Sequence, residues 1–127
     1  MTALCASGTV IRPNDHLAAA AYLLKHEDET VLIVATDGEP RRPVGLITDA
    51  DIVQAIADAK ELNDVRILTL MTSDPTVIRA TTSIQDAARI MVAGHFRHLP
   101  VVGDNDSLIG VVDILDICAA LLDSSPR

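Results

Sequence analysis

Apolar residues recur along the chain at two spacings, and each spacing predicts a different kind of element. Within residues 17–24 the apolar positions follow the i, i+3, i+4, i+7 pattern of one helix face: Leu17, Ala20, Ala21 and Leu24. Val31–Ala35 is instead a continuous apolar run, which is typical of a strand covered on both faces. The first half therefore predicts strand, helix, strand, strand, helix. The strands are Thr9–Ile11, Val31–Ala35 and Val44–Thr48, and the helices are capped by Asn14–Asp15 and by Asp49, the second ending near Ala59.

The second half repeats this order of elements. Strands are predicted at Thr76–Ile78, Leu99–Val102 and Leu108–Val112, with helices over the stripe Ile84, Ala87, Ala88, Met91 and over Ile114–Leu122. Thr82 and Gln85 have the spacing of a capping box, and Gly94 suits the position after that helix. The remaining segments are a polar link at Lys60–Val65, a short helical lead-in at Ile67–Met71 and a fraying tail at Ser124–Arg127.

The two halves also share identical residues. Thr9–Arg12 recurs as Thr76–Arg79, sixty-seven residues later. After the next turn the offset falls to sixty-five, where Gly45-x5-Asp51-Ile52 matches Gly110-x5-Asp116-Ile117. A repeat of this length is one supersecondary unit copied, and two copies are too few for a solenoid. We therefore expect two units that pack around a pseudo-two-fold axis and form clefts between them.

Composition and charge exclude several classes of protein. The 127 residues have the size of one compact domain, with no apolar run long enough to cross a membrane and no signal-peptide pattern at the N-terminus. Cys5 and Cys118 lack metal-ligand spacing, which favours reduced, mostly buried thiols in a cytoplasmic protein. A net charge of −8 and only two aromatic residues argue against nucleic acid and anionic lipid as partners.

The segment Gly110–Ile117 and its partner Gly45–Ile52 resemble the Gly-φ-φ-Thr/Ser-x-x-Asp-φ signature of CBS domains, where φ is an apolar residue. His98–Val102 is similar to the second strand of that family. The resemblance covers roughly residues 8–122 as a tandem pair, called a Bateman module. It implies an α+β fold of two β-α-β-β-α repeats packed as a pseudo-two-fold pair, which we place at residues 1–62 and 63–127.

The resemblance also implies a function, which is to bind an adenosine-containing ligand such as AMP, ADP, ATP or S-adenosylmethionine between the repeats. In the family the signature Asp holds the ribose and the Thr or Ser three residues earlier lies beside the ribose or phosphate. Basic residues at the start of the second strand meet the phosphates, and the first strand helps to form the slot for the base. The implied ligand-binding residues are Thr48 and Asp51, Asp113 and Asp116, Arg97 and His98, and the first-strand positions Thr9, Val10, Thr76 and Val77.

The two implied clefts are not equivalent. The first signature has Thr48 and Asp51, whereas the second has Asp113 where Thr or Ser is expected, and two carboxylates disfavour an anionic ligand. Conversely, Arg97 and His98 in the second repeat correspond to uncharged Thr30 and Val31 in the first. An Arg97–Asp113 ion pair is an alternative explanation that would close the second cleft.

Three further expectations follow. The apolar helical stripes favour a homodimer, as is usual in this family, acting on an unidentified regulated protein. No nucleophile–base set, required cofactor or metal spacing is visible, and Asp104–Asp106 is interpreted as a turn, so the chain is not expected to be an enzyme. The alternative to a sensor is a dimerisation or docking module whose clefts have lost their ligand.

Overall fold

The computed structural model describes residues 8–123, so Cys5 and the Ser124–Arg127 tail lie outside the described residues. The described residues form two compact units, Gly8–Pro75 and the second repeat from Thr76 onward. Both units contain the order β-α-β-β-α, to which the first adds a short helix and a fourth strand, and the mixed helix and strand content confirms the α+β class. The boundary after residue 62 stays a prediction.

The first unit contains a four-stranded sheet in the order β1-β2-β3-β4. Its elements are β1 (Val10–Ile11), α1 (Leu17–His26), β2 (Val31–Ala35), β3 (Pro43–Thr48), α2 (Asp49–Ala57), α3 (Ile67–Leu70) and β4 (Thr72–Ser73). β1 is parallel to β2, whereas β3 is antiparallel to both of its neighbours. All five residues of β2 are buried, as its continuous apolar run predicts.

The second unit contains a three-stranded sheet in the order β5-β6-β7. Its elements are β5 (Ile78–Arg79), α4 (Ile84–Gly94), β6 (His98–Val102), β7 (Leu108–Asp113) and α5 (Ile114–Asp123). The predicted turn at Asp104–Asp106 is a short 3-10 helix between β6 and β7. Each unit has its own aliphatic core, in which the helix stripe packs on the sheet. No helix of residues 8–123 is long and apolar enough to span a membrane.

The prediction that Asn14–Asp15 caps α1 is wrong. His16 is the N-cap residue and gives no side-chain cap, while the Asp15 carboxylate accepts a hydrogen bond from Arg12 N. The first amides of the helix are satisfied from a distant segment instead: Leu17 N donates to Val65 O at 2.9 Å and Ala18 N donates to Leu62 O at 3.0 Å. The predicted polar link therefore serves as the cap of α1.

Other helix ends also differ from the prediction by one or two residues. Thr48 rather than Asp49 caps α2, which ends at Ala57. Ser83 rather than Thr82 caps α4, because the Thr82 hydroxyl already accepts from Arg79 N. Gly94 is the last residue of α4, and His95 takes the left-handed conformation after it.

Cys118 was expected to be buried but is exposed. The helical period explains the difference, since Ile117 is the α5 residue that faces the core and its successor lies about 100° around the helix. The exposed face of α5 is apolar, with Leu115 and Leu122 exposed by 71% and 72%.

Candidate functional site

The first signature forms a reciprocal hydrogen-bonded loop where β3 passes into α2. Thr48 has an extended backbone and is the N-cap of α2. Its amide donates to Asp51 Oδ2 at 2.8 Å, and its hydroxyl donates to the same oxygen at 3.2 Å. Asp51 N approaches Thr48 Oγ1 at 3.4 Å, which completes a capping box. The sequence Thr-x-x-Asp therefore has a structural role before any ligand is considered.

One oxygen of Asp51 has no partner among the described residues. Both contacts from Thr48 use Oδ2, and within residues 8–123 no hydrogen bond or ion pair reaches Oδ1. The side chain is half-buried at the N-terminus of α2, where the helix dipole supplies positive potential. This arrangement can accept hydrogen bonds from hydroxyl groups while the loop itself stays fixed.

The second signature also has reciprocal bonds between backbone amides and side chains, but its donor set is different. Asp116 N donates to Asp113 Oδ1 at 2.9 Å, and Asp113 N donates to Asp116 Oδ2 at 3.3 Å. Because Asp113 replaces a threonine, the bond from hydroxyl to carboxylate is missing. Two carboxylates consequently lie within one turn, at the entry to α5.

In both units the strand that pairs with the signature strand, β2 or β6, begins beside the signature. In the first, Asp49 N donates to Thr30 O at 3.1 Å and Val31 is opposite Thr48. In the second, Ile114 N donates to Arg97 O at 2.9 Å and His98 is opposite Asp113. Between these described side chains no ion pair joins Arg97 to Asp113, so the alternative of an internal ion pair is not supported.

The first-strand positions are less closely associated with the signatures. Thr9 O accepts from Ile33 N, and Val10 lies opposite Ile33 in β2. The predicted strands begin too early, because β1 starts at Val10 and β5 at Ile78. Thr76 and Val77 therefore precede β5, and both are exposed.

Within the first unit, Val10 and Asp51 line different cavities. Asp51 borders a small cavity of about 70 Å³ together with Gln54, Asp58, Lys60 and others. Val10 borders a cleft of about 720 Å³ whose polar residues are Arg12, Asp15, Thr36, Asp37 and Arg41. This larger cleft was not predicted from the sequence. Two signals for it were present: the arginine that ends Thr9–Arg12, and the longer loop that changes the repeat offset.

The signature glycine of the first repeat is explained by packing. A Cβ atom at Gly45 would lie 2.5 Å from Met71 Sδ and 3.0 Å from Thr72 O. β4 lies directly against β3 here, with Gly45 opposite Ser73. The glycine therefore allows the lead-in to the second repeat to pair closely with β3.

Among residues 8–123 no group of three or more His, Cys, Asp or Glu side chains could hold a metal.

A comparison with protein families identifies the class. The CBS domain model matches residues 9–58 and again residues 63–123. The chain therefore belongs to the CBS domain family and carries a tandem pair, which confirms the resemblance inferred from the two signatures.

Relatives extend the match over nearly the whole chain. An uncharacterised 17.7 kDa protein of Acidianus ambivalens is 38% identical over 114 residues, which is 90% of this chain and 67% of that protein. Other relatives are much longer: the chain is 36% identical over 84 residues to the CBS domain-containing protein CBSCBSPB5 of Arabidopsis thaliana, which is 65% of this chain but 15% of that protein.

Two similar solved structures contain AMP. A CBS domain protein of Pyrobaculum aerophilum complexed with AMP is 25% identical, with a TM-score of 0.86 and coverage of 96% of this chain and 95% of that one. CBSX2 of Arabidopsis thaliana in complex with AMP is 27% identical, with a TM-score of 0.77 and coverage of 96% and 95%.

Proposed function

We propose that this chain is a regulatory module that binds an adenosine-containing ligand, such as AMP, ADP, ATP or S-adenosylmethionine, in clefts between its CBS repeats. Membership of the family and the AMP complexes of two relatives support the ligand class. The proposed binding residues are those of the two signatures with Arg97, His98 and the first-strand positions.

The unused Oδ1 of Asp51 is the observation that carries this proposal. A carboxylate can accept hydrogen bonds from both hydroxyls of a ribose, and such charge-assisted bonds are stronger than neutral ones. Thr48 holds Asp51 through Oδ2, so the side chain is already oriented when the ligand arrives. Little ordering of this side chain is then required on binding.

The second repeat is proposed to supply the phosphate contacts. Arg97 and His98 lie at the start of β6, beside the second signature, and both are basic. Among the described residues, the equivalent positions at the start of β2 carry no charge. Asp113 and Asp116 make the second signature a poorer place for a phosphate, since like charges repel. The first signature is therefore proposed as the ribose site.

Regulation would follow from a preference of the ligand for one arrangement of the chain. A ligand shifts a conformational equilibrium only by its difference in affinity for the two states. We propose that the regulated partner reads this shift, and that the module acts as a homodimer.

Calorimetry with paired ligands tests the ribose clamp. We expect wild-type protein to bind AMP about tenfold more tightly than 2′,3′-dideoxy-AMP. The second ligand lacks both of the ribose hydroxyls that would donate hydrogen bonds to Asp51. Asp51→Asn should abolish this preference, since an amide presents only one acceptor and no charge. The matched control Asp116→Asn should keep it. Equal affinity of wild-type protein for the two ligands would contradict the clamp.

The second candidate function is a dimerisation or docking module without a ligand. It is favoured by the capping box of α2 and by the reciprocal bonds between Asp113 and Asp116, which give these signature side chains a structural role. Thermal denaturation separates the two candidates, because a ligand that binds only the native state raises its melting temperature. No shift with millimolar AMP, ADP, ATP or S-adenosylmethionine would favour the docking module.

A further inference from the structure

The 720 Å³ cleft of the first unit lies at the end of the sheet away from the signature. It is lined by Ala35 and by the following loop, whereas Thr48 is opposite Val31 at the other end of β2. Val31 and Ala35 are four positions apart along β2, which corresponds to roughly 13 Å. The cleft is therefore distinct from the Thr48–Asp51 signature, although Val10, a proposed first-strand contact, lies in its wall.

The equivalent arginines of the two repeats, Arg12 and Arg79, have different partners. Arg79 of the second repeat ends β5, donates from Nη1 to Gly103 O at 3.0 Å and pairs through Nη2 with Asp106. Arg12, its counterpart in the first repeat, has Nε 3.5 Å from Asp37 and 3.9 Å from Asp15, which are longer than hydrogen bonds. Within residues 8–123 its guanidinium donates no hydrogen bond, so its donors remain available.

Loop length accounts for this difference. Seven residues, 36–42, connect β2 to β3, whereas five residues, 103–107, connect β6 to β7. The shorter loop supplies both the carbonyl and the carboxylate that pair with the Arg79 guanidinium. The longer loop leaves a cleft and adds Arg41 to its lining, and Arg41 makes no hydrogen bond or ion pair with another described residue.

The loop that carries Arg41 is held in place at its base. Thr36 N donates to Arg42 O at 3.0 Å, and Arg42 N donates to Thr36 Oγ1 at 3.0 Å. Two guanidinium groups with available donors thus line one cleft on an anchored loop. The partly buried apolar side chains Val10 and Leu23 form another part of its wall.

We propose that this cleft binds a small oxyanion, a phosphate or carboxylate group, between Arg12 and Arg41. Guanidinium forks match the planar and tetrahedral oxygens of these groups and form the stronger, charge-assisted hydrogen bonds. Asp15 and Asp37 line the same cleft and hold Arg12 in orientation. Because the two carboxylates offset the charge of the two arginines, a polyanion such as ATP is disfavoured, and binding of a small oxyanion depends on direct hydrogen bonds from the guanidinium groups.

Side-chain NMR of the arginine Nε–Hε groups tests this site directly. Uniformly labelled protein is titrated separately with inorganic phosphate and with acetate at constant ionic strength. We expect saturable shifts at Arg12 and Arg41, and the more tightly bound probe identifies the class of oxyanion. Arg41→Gln should weaken binding at least tenfold, whereas Arg42→Gln, which removes the same charge from the same loop outside the cleft lining, should change it less than twofold.

Two further variants complete the test. Arg79→Gln removes the equivalent arginine of the second repeat and should leave both shifts unchanged. Arg12→Lys keeps the charge but loses the fork, so binding should weaken severalfold while the circular dichroism spectrum stays native. Absence of saturable shifts, equal weakening by Arg41→Gln and Arg42→Gln, or shifts confined to Arg97 would overturn the proposal. These outcomes do not depend on whether AMP binds at Asp51.

Discussion

Replacement of Asp51 by alanine should destabilise the first repeat, because Asp51 completes the capping box of α2. The variant loses the 2.8 Å and 3.2 Å bonds from Thr48 to Oδ2, together with a negative charge in the first turn. Hydrogen bonds contribute a net 0.5–1.5 kcal/mol each, roughly, and a carboxylate near a helix N-terminus about 0.3–1 kcal/mol. Since the side chain is half-exposed, we expect a total loss of about 1–2 kcal/mol in the free energy of unfolding.

A double-mutant cycle isolates the interaction between the two signature side chains. Thr48→Val keeps the shape of the residue and removes its hydroxyl, at an expected cost of about 1 kcal/mol. The hydroxyl-to-carboxylate bond is lost in both single variants, so the double variant should cost about 0.5 kcal/mol less than their sum. Urea unfolding followed by circular dichroism measures these differences as midpoint shifts at constant m value.

Asp49→Ala is the matched control for this cycle. Asp49 is also acidic and lies in the first turn of α2, but among residues 8–123 its carboxylate accepts a hydrogen bond only from Ala50 N. The Asp49→Ala variant should therefore lose mainly the helix-dipole contribution to the free energy of unfolding, about 0.3–1 kcal/mol. A loss below about 0.3 kcal/mol for Asp51→Ala, or equal losses for both variants, would refute the assignment of stability to the capping box.

Three other predictions follow from the structure. Asp113→Thr should increase affinity for AMP more than for adenosine, and the gain measured by calorimetry should shrink with added salt; no gain for any phosphorylated ligand would exclude repulsion as the cause. Gly45→Ala should lower the free energy of unfolding measured in urea by about 1–3 kcal/mol, because the added Cβ would collide with the Met71 side chain. Gly38→Ala is the control, since a Cβ there has nothing within 4 Å, and equal effects of the two variants would contradict this explanation. Leu122→Lys should convert the proposed dimer into a 13.5 kDa monomer in sedimentation at micromolar concentration, if the apolar face of α5 is the interface; a wild-type monomer would contradict the dimer.

The elements of the fold could be predicted because each carries its own periodic pattern. The buried run Val31–Ala35 and the stripe from Leu17 to Leu24 require only local spacing to be recognised, and the repeat supplies each assignment twice. The β-α-β-β-α order of both repeats was predicted correctly for this reason, whereas the two-residue strand β4 was not predicted.

The helix caps were harder to predict, because neighbouring polar residues offer equivalent oxygens. Thr82 and Ser83 could each cap α4, and the choice depends on whether Thr82 is already bonded to Arg79 N. At α1 the cap comes from backbone carbonyls more than forty residues away in sequence. Such contacts depend on tertiary structure and have no local signal.

The candidate site was predictable only in part. The positions of Thr48 and Asp51 follow from the signature, but their mutual bonds and the unused oxygen require coordinates. The cleft at Arg12 was missed because it arises from a difference in loop length, whose effect on side-chain contacts cannot be read from a hydrophobic pattern. The roles of the ligand-binding residues stay predictions.

A crystal structure of the protein grown with AMP would test the central claim most directly. The proposal predicts density for AMP with its ribose hydroxyls within hydrogen-bond distance of the Asp51 carboxylate, while Thr48 keeps its contacts to Oδ2. A fully occupied AMP whose ribose does not contact Asp51, or a structure at saturating AMP without the nucleotide, would contradict it.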